Sequence, residues 1–328
     1  MIYVHGIGHF HPENVITNQF LEDLDIGTTV DWIMERVGIE TRRTILPLEY
    51  IRDTKNADPR ATDKVRLYSN ARMAASAAKM AIARAGIKVE DIGMVISGSS
   101  FLEYLTPAEG ATVACELGID VPCFDINSAC ATFGVQMYYL DSVKPEKLPP
   151  YVLVTNIECS TVSTNYADRA TAVLFGDAST ATVISTTVPS PKTFTDCAMA
   201  SKPSMWDKAK VSRWGYFVQD GGAVQGFAIR KTTDGLRSLK ALVPEVDEKH
   251  FFFVGHQANL GVLRTACERT GIAENRHWYN VHIFGNTGSA GAASVLSQRW
   301  DELGAGDVVA LAFVGAGLTW TQMLMRVK

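Results

Sequence analysis

Short apolar runs alternate along this chain with longer stretches in which small and apolar residues recur every three or four positions. From Asn70 to Ala85 the spacing of Ala, Met and Ile predicts a helix, and Met94-Val95-Ile96 then predicts a short buried strand ending at Gly98-Ser99-Ser100. Tyr151-Val152-Leu153-Val154, Ala172-Val173-Leu174-Phe175, Phe251-Phe252-Phe253-Val254 and Val308-Val309-Ala310-Leu311 read as strands of the same kind. Continuous apolar runs suit central strands covered by helices on both faces, so the class is α/β.

The pattern also repeats. Ile96-Ser97-Gly98 leads into a helix ending Ala114-Cys115-Glu116-Leu117-Gly118-Ile119, and Val254-Gly255-His256 leads into one ending Ala266-Cys267-Glu268-Arg269-Thr270-Gly271-Ile272. Each is followed by an expected strand and a turn of small residues, Asn127-Ser128-Ala129-Cys130 in one case and Gly285-Asn286-Thr287-Gly288 in the other. Each half closes on two strands about a glycine turn, at Gly176-Asp177 and at Gly315-Ala316-Gly317. The chain therefore reads as two similar halves, residues 1–186 and 187–328. Thr187 to Gly226 has no clear period and reads as the connection between them, and the polar run Arg52 to Arg60 reads as a surface loop.

Composition narrows the function by exclusion. Hydrophobic residues make up 47% of the chain and charged ones 20%, which leaves no room for a long disordered region. Lys and Arg total 31 against 35 Asp and Glu, without the basic excess that nucleic-acid binding demands. No apolar stretch approaches the roughly 20 residues of a membrane span, and the N-terminus lacks a signal peptide's basic start, so a cytoplasmic enzyme is expected. The cysteines (Cys115, Cys123, Cys130, Cys159, Cys197, Cys267) form no Cys-x-x-Cys pair and read as thiols. His5, His9 and His11 alternate and would share a face of a strand, but with no carboxylate or thiol beside them to complete a ligand set no metal is expected.

Cys130 sits between an apolar strand and a helical stretch, where unpaired amides and the positive end of the helix dipole favour a thiolate. His256 and Asn286 follow at other strand ends, and three such residues can converge in space. Together with its context this set resembles the β-ketoacyl-acyl-carrier-protein synthase III family of the thiolase fold. The resemblance rests on Asp-x-x-x-Ala-Cys around Cys130, His256-Gln257-Ala258-Asn259 and Gly285-Asn286-Thr287. It extends to Asp31-Trp32-Ile33-Met34-Glu35-Arg36, Asp168-Arg169 ahead of Phe175-Gly176-Asp177, and Gly315-Ala316-Gly317-Leu318.

The resemblance implies a layered αβαβα fold and a ping-pong condensation. Cys130 would take the acyl group from acyl-CoA, with backbone amides of Cys130 and Ala316 holding the oxyanion. His256 and Asn286 would stabilise the enolate formed as a malonyl thioester, carried on acyl carrier protein, loses carbon dioxide. Trp32 and Arg169 would sandwich the adenine of CoA with Arg36 beside them, no cofactor would be tightly bound, and the enzyme would be a homodimer.

Departures from the family pattern matter too. Gly261 stands where an arginine usually follows the histidine motif, with Arg264 one turn on, and the run Gly288-Ser289-Ala290-Gly291-Ala292-Ala293-Ser294 is longer than usual. Thr106 and Val314 replace bulky aromatics around the acyl pocket, which implies an acyl group larger than acetyl. The rival reading is an acyltransferase of the same fold, moving the acyl group from Cys130 to a hydroxyl, amine or other small nucleophile. A non-catalytic partner subunit would have no need of Cys130, His256 and Asn286 together.

Overall fold

The computed structural model describes residues 1–328. Nine strands carry the fold: β1 (Ile2–Phe10), β2 (Ile92–Ser97), β3 (Cys123–Asp125), β4 (Tyr151–Glu158), β5 (Ala178–Ser185), β6 (Lys192–Ser201), β7 (Phe251–Gly255), β8 (Val308–Gly315) and β9 (Thr319–Val327). They bond into one sheet of order β7-β8-β9-β6-β1-β5-β4-β2-β3. Counted in chain order, β1 to β5 lie 3-2-4-5-1 across the sheet. β6 to β9 take places 1, 2, 4 and 5 of the same scheme, and place 3 is held by His277, joined to Phe253 by an isolated parallel bridge. Antiparallel pairing of β1 with β6, from Ile2↔Phe194 to Val4↔Lys192, joins the two sets.

The apolar runs are buried on both faces. In β8, Val309, Leu311 and Phe313 enter one core while Val308, Ala310 and Ala312 enter another, as side chains alternating across a strand must. Helices α1 (Val30–Val37), α2 (Asn70–Ala85), α3 (Glu109–Leu117), α4 (Thr132–Ser142), α5 (Gly221–Ala241), α6 (Leu260–Thr270) and α7 (Ala290–Gln298) supply the cover. α2 and α3 cover the outer face of β1 to β5, α5 covers that of β8 and β9, and α6 packs on α5. Between the sheet halves lie α4, in contact with β4 and β6, and α7, in contact with β1 and β7. The result is a helix, sheet, helix, sheet, helix stack.

Several local expectations fail for tertiary reasons. Ala172 to Phe175 is no strand: Asp168 caps a short helical turn, Arg169–Ala172, and the apolar residues after it fill the core against α5 and α6. Hence β4 and β5 are separated by residues 159–177, whereas β8 and β9 do form a hairpin. Val281–Phe284, just before Asn286, is a helical turn. Arg52 and Asp53 end a helix (Leu48–Thr54), and Asn56 is fully buried, its Nδ2 donating to the carbonyls of Thr161, Val162 and Thr164. The stretch from Thr187 to Gly226 contains β6, a central strand, so the crossing itself is only residues 186–191.

The three N-terminal histidines do not share a face. A bulge between Val4 and Gly6 shifts the alternation, so Ile2, Val4 and Ile7 lie in one core. His5 bonds the carbonyl of Val188, His9 bonds Ser297 Oγ, and His11 stacks on Phe284 with ring centroids 3.7 Å apart. No group of three His, Cys, Asp or Glu is arranged to hold a metal, and no helix is long and apolar enough to cross a membrane.

Candidate active site

The turn between β3 and α4 presents Cys130. Asn127 Oδ1 accepts from Ala129 N at 2.9 Å, and Thr132 Oγ1 accepts from Ser128 N at 2.8 Å while donating to the Ala129 carbonyl at 2.6 Å. These bonds hold Ala129 at φ +48, a left-handed conformation that side-chain-bearing residues seldom adopt outside functional turns. No side chain caps α4; its start is tied to the Cys130 turn by main-chain bonds, Ala131 N to the Ser128 carbonyl at 3.1 Å and Thr132 N to the Ala129 carbonyl at 3.0 Å. The Gly315–Gly317 turn packs directly on it: a Cβ at Gly315 would lie 2.7 Å from Ala131 N and 3.1 Å from Cys130 N. Only glycine permits that approach, which brings the Ala316 loop beside the Cys130 amide.

His256 follows β7, its amide bonded to the Ala312 carbonyl at 2.9 Å. Next to it Gln257 is fully buried and accepts from the amides of Asn280 and Val281, and Asn259 caps α6 by accepting from Val262 N. The motif around His256 is thus structural on either side of the imidazole. Asn286 is held by main-chain bonds to Leu174 and Gly176, and the buried Arg42 guanidinium anchors that segment through the Val173 carbonyl. Asn286 Oδ1 accepts from Gly288 N at 3.0 Å, which fixes the amide and turns Nδ2 free to donate.

Cys130, His256 and Asn286 open onto one cavity of about 490 Å³, together with Val314, Ala316 and Glu158. Burial pushes the His256 imidazole down to about 4, so it is neutral at physiological pH and carries one N–H to donate. Cys130 departs from the sequence expectation. Burial first, and the Glu158 charge second, push its thiol up to about 12 against the opposing backbone hydrogen bond, so it rests protonated. Glu158 was missed in the sequence, where the available signal is an acid that follows the apolar run Tyr151 to Val154 after Thr155, Asn156 and Ile157. Burial holds its carboxyl up to about 7.

The remaining site candidates lie outside this chamber. The Arg169 guanidinium lies 5.0 Å from the Trp32 ring centroid and donates to the Gly27 carbonyl at 2.6 Å, and Arg36 is exposed on the same helix as Trp32. Gly38, which ends that helix, packs on Leu260, so Gly261 neighbours the same surface without a side chain. Arg264 points away and pairs with Glu274 at 3.7 Å. Thr106 does not reach this chain's own cavity: its loop runs outward into solvent, anchored where Glu103 accepts from Asn70 N. The longer run after Asn286 starts α7 and leaves Asn286 on the cavity.

Comparison with known proteins agrees with this architecture. Residues 124–203 match the family described as 3-oxoacyl-[acyl-carrier-protein (ACP)] synthase III, and residues 247–327 match its C-terminal part. A β-ketoacyl-[acyl-carrier-protein] synthase III of Coxiella burnetii is 28% identical over 343 residues, covering 98% of both chains. The crystal structure of the 3-oxoacyl-[acyl-carrier-protein] synthase III of Aquifex aeolicus superposes with a TM-score of 0.87 at 25% identity, over 99% of this chain and all of that one. The priming β-ketosynthase of the R1128 polyketide pathway superposes at 0.84 and 25% identity, covering 100% of this chain and 97% of that one. By profile, full-length similarity and shared layered fold, this chain resembles the β-ketoacyl-acyl-carrier-protein synthase III family.

Proposed function

We propose that this protein is a decarboxylative condensing enzyme that works through an acyl-cysteine. The carrying observation is the meeting of Cys130, a neutral His256 and the free Nδ2 of Asn286 on one cavity. Cys130 sulfur attacks the carbonyl of acyl-CoA. The oxyanion is held by the Cys130 and Ala316 amides, and CoA leaves as the thiol after taking the proton. A malonyl thioester, carried on acyl carrier protein, then enters. Its carboxylate departs as carbon dioxide, and the electron pair left on the α-carbon delocalises onto the thioester oxygen, where His256 N–H and Asn286 Nδ2 donate. The carbanion attacks the acyl carbonyl, and Cys130 leaves as thiolate from the β-ketoacyl product.

Trp32 and Arg169 are the adenine clasp in this reading, with Arg36 beside them, and no cofactor is held. Val314, buried at the cavity wall, leaves room for an acyl group larger than acetyl. Thr106 acts on the cavity of a second copy: its loop exposes Leu102, Tyr104 and Leu105, apolar surface that a homodimer would cover. Cytoplasmic fatty-acid or specialised-metabolite synthesis is the setting.

The test is intact-mass analysis after incubation with a panel of acyl-CoAs, with and without malonyl carrier protein. Acyl adducts lost in Cys130→Ala, and β-ketoacyl products formed only with the malonyl carrier, are expected. One observation favours simple acyl transfer instead: Gly261 supplies no cation to a carrier-bound thioester and Arg264 is engaged elsewhere. Adduct transfer to a hydroxyl or amine with no carbon dioxide released would decide for that reading.

A further inference from the structure

Glu158 ends β4 in the cavity wall and takes no part in the chemistry above. Its carboxylate receives four hydrogen bonds, all from two serines. Ser289 Oγ and N donate to Oε1 at 2.6 and 3.1 Å, and Ser100 Oγ and N donate at 3.4 Å to Oε1 and Oε2. Ser289 shares a tight turn with Asn286, and the amide between them, Gly288 N, is the one that fixes Asn286 Oδ1. The carboxyl lies directly beneath this turn: Gly288 has φ +53, and a Cβ there would fall 2.7 Å from Glu158 Cδ. One side chain therefore ties the Asn286 turn to the loop that carries Ser100, which lines the same cavity.

No lysine or arginine is paired with Glu158 in the structure. Around it stand Cys130 at the start of α4, His256 beyond β7 and Lys210 on the cavity rim; next in the chain is Cys159, with Arg66, Glu109 and Asp177 behind it. None of these neutralises it by contact. Above about 7 the group is a lone buried anion that opposes a second anion on Cys130.

We propose that Glu158 is a positioning residue for the condensation: its carboxylate fixes the turn that presents Asn286, while its charge restrains thiolate formation at Cys130. Loading then favours the neutral acid, whereas decarboxylation depends on the acceptor oxygens that hold the Asn286 turn, whatever the charge. This inference rests on the condensing reading above, but its readouts separate from it.

The experiment compares wild type with E158Q, E158A and S289A, each first shown to fold by thermal melting. It measures the pH profile of Cys130 alkylation by iodoacetamide and the release of carbon dioxide from a malonyl thioester. E158Q keeps an acceptor oxygen for Ser289 but loses the charge, so its alkylation profile moves to lower pH, with a rate about threefold or more above wild type at pH 8. Its decarboxylation rate falls only about threefold or less, whereas that of E158A falls about tenfold or more. S289A loses decarboxylation as E158A does and leaves the alkylation profile where it was. An unshifted profile in E158Q, or full decarboxylation in E158A, overturns the proposal. If E158A does not fold, S289A carries the positioning arm and E158Q the charge arm. Wild-type protein that loads acyl groups but releases no carbon dioxide would overturn the condensing reading, and the alkylation profile would still judge the charge on Glu158.

Discussion

Arg169 rests directly on the face of Trp32, its guanidinium carbon 5.0 Å from the ring centroid, with no room between them for a purine. If the pair clasps adenine, the guanidinium must first swing off the indole, exchanging one cation–π contact for two stacking contacts of about 0.5–2 kcal/mol each. W32A and R169A should each raise the KM for acyl-CoA about tenfold with kcat little changed. Steady-state kinetics with a truncated acyl thioester that lacks the nucleotide provides the control. Equal losses with that substrate would remove both residues from CoA recognition.

The free N–H of His256 and the free Nδ2 of Asn286 give the enolate two donors. H256A and N286A should each slow carbon dioxide release about 10²–10³-fold, the usual loss for one oxyanion donor. Acyl loading on Cys130, followed by mass, should survive in both. Loss of loading in N286A would move Asn286 from the second half-reaction to the first.

Val314 sits 7% exposed at the cavity wall, packed with Phe227, Ala228 and Leu318. V314F should consume space that a close-packed interior cannot recover elsewhere, at about 1–3 kcal/mol of overpacking. Across an acyl-CoA panel the longest chain that loads on Cys130 should shorten, with acetyl loading preserved. An unchanged chain-length profile would direct the acyl group away from Val314.

Glu109 is buried at the start of α3 with Oε1 bonded to Asn70 Nδ2. Burial lifts its carboxyl from the ordinary 4.5 to about 7, with the Asn70 bond opposing. A raised carboxyl binds its proton more tightly in the folded state, so its contribution is complete below about 4.5 and lost as pH rises through about 7. E109Q removes the titration. In thermal melts it should match wild type at pH 5 and exceed it at pH 8, by a gap on the order of 1–3 kcal/mol. A difference independent of pH would mean that the carboxyl is not buried in solution.

Much was legible from residue order alone. Apolar runs buried on both faces identify central strands wherever they fall, as in β4, β7 and β8, because a strand with two covered faces tolerates no polar alternation. Cys130, His256 and Asn286 were found from the residues around them, and Asn259 and Gln257 belong to the same motif because they build the backbone that carries the imidazole. Local sequence did not determine Ala172 to Phe175, where apolar character reflects burial and short-range bonds choose a helical turn. Nor could it give the resting state of Cys130. A helix start favours a thiolate, yet the enclosed cavity and the acid from β4, distant in sequence, outweigh it. Residue types and their spacing determined which side chains are available for chemistry. Only the tertiary structure decided their charges, because desolvation and through-space Coulomb interactions depend on what the fold encloses.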